Sequence, residues 1–112
     1  MLDKLRMNRY MAKIDEKATT IEPYRQMFGN KSLGKAFFDK SSDQFDGFTM
    51  GSFAAWKAGI PPLLWAAVCA QALIDGTSVG SVIDIAEKMF PQHRLHWRRY
   101  SAVLNELSQQ LP

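Results

Sequence analysis

The chain has 112 residues, 46% of them hydrophobic, a single cysteine and a formal net charge of +3 at pH 7. That is enough apolar material for one domain to bury a core without disulfides or a structural metal, and a lone Cys69 excludes an intrachain disulfide framework and fits a reducing, cytoplasmic compartment. The longest apolar stretch, Ile60 to Leu73, falls short of the roughly 20 residues that span a bilayer, and Met1 to Arg9 lacks the apolar core and cleavage site of a secretory signal, so no membrane association is expected.

The N-terminal section, residues 1–38, reads as helices. Met7, Tyr10, Met11, Ile14 and Ala18 recur at helical spacing and leave Lys4, Arg9, Lys13 and Lys17 for the outside, which predicts a helix from Leu2 to Ala18. Thr19 and Glu22 have capping-box spacing and Gly29-Asn30 is a C-terminal stop, which predicts a second helix over Thr20 to Phe28 with Pro23 in its first turn. Ser32 to Phe38 reads as a third, short helix weakened by Gly34. The polar run that follows, residues 39–48, has the composition of an exposed loop.

From residue 49 to 112 the pattern is helical again. Thr49 is placed to cap a helix carrying Phe53 and Trp56, ended by Gly59, and Pro61-Pro62 then opens the next. Leu63 to Ile74 is apolar on all sides, which is the pattern of a central helix, and Asp75-Gly76 ends it. Thr77 or Ser78 caps a helix whose buried stripe is Val79, Val82, Ile83, Ala86 and Phe90. The last helix, about Gln92 to Gln110, has Trp97, Tyr100, Val103, Leu104, Leu107 and Leu111 on its inner face. No segment alternates with period two, so the expected fold is all-α: a compact bundle of about five to six helices in one domain.

Function points first to the start of the last helix. Pro91 to Tyr100 carries Arg94, Arg98 and Arg99 with His93 and His96 and no acidic residue, while Lys4, Arg6, Arg9, Lys13 and Lys17 load the other end of the chain. Two basic ends that packed together would make one cationic face for a polyanion. The helices at Leu63–Ile74, Val79–Phe90 and Gln92–Gln110 resemble a helix-turn-helix unit over 63–110, with Ala86 at the small position of close helix packing. The chain departs from that pattern with Phe90-Pro91 where a glycine-containing turn is common, and with a longer final helix. The resemblance implies that Gln92, His93, Arg94 and Arg98 enter a major groove, where arginine pairs with guanine and glutamine with adenine. Arg99, Lys4, Arg9 and Lys13 would then hold phosphates of a DNA partner, and a homodimer is expected.

The alternative is a non-enzymatic adaptor or inhibitor that binds a protein partner through Phe45, Phe48, Phe53 and Trp56, part of an aromatic-rich stretch a small domain cannot bury entirely. His93 and His96 share a helix face, but zinc sites need three or four protein ligands, so no metal is expected. Cys69 sits among Ala, Val and Trp, where a thiol is inert rather than nucleophilic. Asp75 to Ser81 has glycines and hydroxyls but lacks the Gly-Lys-[Ser/Thr] ending of a phosphate-binding loop. No acid–base constellation emerges, so neither catalytic residue nor cofactor is expected.

Overall fold

A computed structural model describes residues 2–110, with only the backbone of Leu2. Its elements in chain order are α1 (Leu2–Ala18), α2 (Tyr24–Phe28), α3 (Leu33–Lys40), α4 (Ser42–Lys57), α5 (Pro62–Asp75), a 3-10 turn (Val79–Ser81), α6 (Val82–Met89), a second 3-10 turn (Pro91–His93) and α7 (Arg94–Gln110). The fold is all-α, with seven α-helices and no strand among the described residues. No helix among them is long and apolar enough to cross a membrane.

Helix α5 occupies the middle, as its sequence requires. Leu64, Trp65, Ala66, Val68, Cys69, Ala70, Ala72 and Leu73 are buried, and α1, α2, α3 and α6 pack around it. Proline is tolerated at its first turn because that N–H has no intrahelical acceptor, and Gly76 ends it in the left-handed region at φ 71°. Tyr10, Ile14 and Ala18 bury one face of α1, and the Tyr10 hydroxyl donates to the Ile60 carbonyl at 2.9 Å, tying α1 to the entry of α5.

Three expected boundaries are corrected. Residues 39–48 are not a loop: α3 runs to Lys40 and α4 begins at Ser42. Ser41 alone breaks the two helices, and its hydroxyl accepts from the Gln44 amide at 3.2 Å as an N-cap. Thr49 therefore lies inside α4, donating to the Phe45 carbonyl at 3.0 Å, and caps nothing. The capping box at Thr19 and Glu22 does not form either. The Thr19 and Thr20 hydroxyls turn back to the Glu16 and Lys17 carbonyls, closing the end of α1, and α2 starts only at Tyr24. Ser32 caps α3 as its sequence suggests, accepting from Lys35 N at 3.2 Å. Leu111, expected on the inner face of the last helix, lies outside the described residues.

Candidate nucleic-acid interface

The start of α7 is fixed by the residues that interrupt the chain before it. Proline disfavours the helical region for the residue it follows, so Phe90 leaves α6 at φ −132° and ψ 63° and the chain turns. The Phe90 carbonyl then accepts two hydrogen bonds, from His93 N at 3.0 Å and from Trp97 Nε1 at 3.1 Å. The Phe90 ring lies 6.1 Å from that of His93 and 6.4 Å from that of Trp97. With Trp97 buried, the turn and the first two turns of α7 form one braced unit.

Arg94 and Arg98 are one turn apart on this braced segment, both exposed. Together with Trp97, Ser101, Pro91 and Glu87 they line an open groove of about 530 Å³ between α6 and α7. The ion pairs found among the described residues, Lys31–Asp39 at 2.7 Å and Lys35–Asp39 at 3.0 Å, involve neither arginine. Glu87 thus shares the groove without neutralising it by direct contact. Ala86 is fully buried, and α6 packs on both α5 and α7.

Other expected site residues are distributed differently. Gln92 and Arg99 are exposed, but His93 is half-buried against Phe90 and against His96, whose ring is 5.3 Å away. His93 thus packs on neighbouring rings while part of its surface stays open. Among the described residues no third His, Cys, Asp or Glu joins the two histidines in a metal-sized cluster. Lys4, Arg9 and Lys13 are exposed on α1, yet α1 packs on α5, α4 and α3 while α7 packs on α4 and α6. The α1 cations do not line the groove.

The aromatic alternative is also redistributed. Phe48 is fully buried and stacks on Phe37 at 5.2 Å, so it belongs to the core and not to a partner surface. Phe53 and Trp56 are half-buried with their rings edge to face at 5.6 Å, and Lys57 Nζ lies 5.8 and 5.1 Å from them. Phe45 is exposed and meets the exposed Phe38 edge-on at 5.9 Å.

One feature sets α7 apart from the last helix of a free-standing three-helix unit: its inner face rests mainly on α4. A Cβ at Gly51 would come within 3.1 Å of the Tyr100 hydroxyl and 3.3 Å of the Trp65 ring, so glycine lets α4, α5 and α7 meet closely. The Trp65 and Tyr100 rings touch there at 5.1 Å. Burial pushes the Tyr100 and Tyr10 hydroxyls and the Cys69 thiol above their ordinary titration ranges, which favours their neutral forms. Glu87 and the α4 support are what sequence reading left out of the site. Both depend on contacts between distant segments, although Glu87 carries the expected one-turn-outward position on α6.

No protein-family model, curated protein or solved structure matches the chain. The fold and the groove define a class on their own terms, a small all-α bundle that presents the cationic start of a braced helix, with no ion pair to Arg94 or Arg98 among the described residues.

Proposed function

We propose that this chain is a small cytoplasmic DNA-binding regulator that works as a homodimer and contacts duplex DNA with the start of α7. The observation that carries the reading is the pair Arg94 and Arg98, exposed one turn apart on an open groove and held by a rigid turn, with no ion pair to either among the described residues. Such guanidinium groups can pair bidentately with guanine O6 and N7 or with phosphate oxygens. Gln92 stands beside them for an adenine or phosphate contact, and Arg99 for the backbone. Lys4, Arg9 and Lys13 add attraction at longer range, outside the groove. His93, half-buried against Phe90 and His96, stands in the same turn as a further candidate contact.

A second reading, a protein adaptor, is favoured by a different surface, the exposed Phe38–Phe45 pair with Phe53 and Trp56 beside it. Fluorescence anisotropy with a mixed-sequence duplex at low and moderate salt separates the two. The DNA reading expects micromolar, salt-sensitive binding that Arg94→Glu with Arg98→Glu abolishes while circular dichroism stays unchanged. Glu87→Gln should tighten binding by removing the acidic wall of the groove. No binding by the folded wild-type chain at low salt refutes the DNA reading and leaves the adaptor.

A further inference from the structure

We infer that the cleft between α4, the 3-10 turn Val79–Ser81, α6 and α7 binds a small uncharged molecule, of bicyclic aromatic size, through one hydrogen bond to Tyr100. The inference goes beyond DNA binding and does not depend on it.

Two glycines shape one wall of this cleft. Gly47 and Gly51 lie one turn apart on α4, and each omits a side chain where another element comes close. A Cβ at Gly47 would meet Val79 Cγ1 at 2.7 Å, and one at Gly51 would meet the Tyr100 hydroxyl at 3.1 Å. The Gln44 side chain accepts from the Val79 amide at 2.8 Å and fastens the 3-10 turn to α4, so this wall is organised before any ligand arrives. The cleft measures about 270 Å³, with Met50, Val82, Ile83 and Leu104 on its apolar side. Asn105 and Ser108, both exposed, stand at its solvent edge. No charged side chain lines it among the described residues.

Tyr100 supplies the polar contact. It is only 5% exposed, and its ring rests on that of Trp65 at 5.1 Å. The Tyr10 and Tyr24 hydroxyls donate to the Ile60 and Lys31 carbonyls at 2.9 and 2.6 Å, whereas the Tyr100 hydroxyl has no protein partner among the described residues. No side-chain oxygen or nitrogen sealed from water lacks a partner there, so this hydroxyl is not sealed, and the open space beside it and Gly51 is the cleft. A mostly apolar recess with one orienting polar group has the make-up of a small-molecule site. The occupant follows from the lining: an apolar body for the walls and one hydroxyl or carbonyl oxygen for Tyr100. It carries no charge, because a buried ion without a counter-ion is costly. A dry apolar cavity of about 150 Å³ takes benzene, so a cleft not quite twice as large suits two fused rings.

A heteronuclear NMR titration of the full chain with 2-naphthol tests this, with 2-naphthoate as the charged counterpart. Saturable shifts should centre on the amides of Gly47, Gly51 and Gly80, with a dissociation constant below about 1 mM. The carboxylate should bind at the same amides at least about tenfold more weakly, a comparison that needs no variant. Tyr100→Phe should keep the wild-type Tm, since its hydroxyl bonds to nothing in the protein, and should weaken 2-naphthol about three- to tenfold. Absence of saturable shifts at these amides, or shifts centred on Phe45 and Phe53 instead, overturns the inference. Equal affinity for the two naphthalenes, or a Tyr100→Phe protein that binds as well as the wild type, overturns it too. The titration contains no DNA, so its failure leaves the Arg94 and Arg98 reading standing.

Discussion

Ser52 is the only buried polar residue among those described, and its hydroxyl accepts the indole N–H of the fully buried Trp65 at 2.9 Å. Ser52→Ala would leave that N–H unpaired where α4, α5 and α7 meet. An orphaned buried donor costs about 1–3 kcal/mol, and alanine returns about 0.5 kcal/mol through its better helix propensity. The net loss of about 1–2 kcal/mol corresponds to a Tm lower by about 5–10 °C for a domain of this size. The assay is a thermal and urea melt of Ser52→Ala in two backgrounds, wild type and Trp65→Phe. Phenylalanine has no N–H to orphan, so the serine substitution should cost nearly nothing there, giving a coupling of about 1–2 kcal/mol. An unchanged Tm in the wild-type background, or an equal loss in both, would refute the reasoning.

Gly47→Ala should lower stability by about 1 kcal/mol in the wild type, because overpacking outweighs the helix gain: the added Cβ would sit 2.7 Å from Val79 Cγ1. The same change in a Val79→Ala background should stabilise, and stabilisation in both backgrounds would show that the close approach is not limiting. Burial lifts the Asp15 carboxyl above its ordinary pKa against the pull of the Leu33 amide, which it accepts at 3.1 Å. Its contribution to stability is therefore present below the ordinary carboxylate pKa and lost as pH rises through the lifted value. Asp15→Asn, which keeps an acceptor oxygen for Leu33, should melt higher at neutral pH and flatten the pH dependence of Tm, whereas parallel curves for the two proteins would sink that account. Cys69 is fully buried with its thiol pKa raised by desolvation, so a thiol reagent should label it at least about a hundredfold more slowly in the native than in the urea-unfolded chain.

Where local chemistry decides the outcome, the sequence was readable. The all-apolar run around Cys69, the serine before α3 and the glycine after α5 each imposed what they imply. The stretch from Asp39 to Gly47 misled because its residues favour turns singly while acting together otherwise. Ser41 is an N-cap, Asp43 sits in the first turn where the helix dipole favours an acid, and Gly47 is small because Val79 approaches it. Thr19 and Glu22 matched a capping pattern, but the Thr19 and Thr20 hydroxyls donate to carbonyls at the end of α1 instead. At the candidate site, Arg94 and Arg98 were legible from charge and spacing. The packing of His93 on the Phe90 ring was not, nor was the burial of Phe48, which depends on Phe37 across a helix junction.

Trp97 lines the Arg94 and Arg98 groove while remaining almost wholly shielded from water, and its indole is anchored to the Phe90 carbonyl. The molecule therefore carries an intrinsic optical probe at the place where a ligand would settle. With Trp65 sealed in the centre and Trp56 half-exposed on α4, replacing those two by phenylalanine leaves a single emitter. Occupancy of the groove then becomes a colour and intensity change that needs no label on either partner.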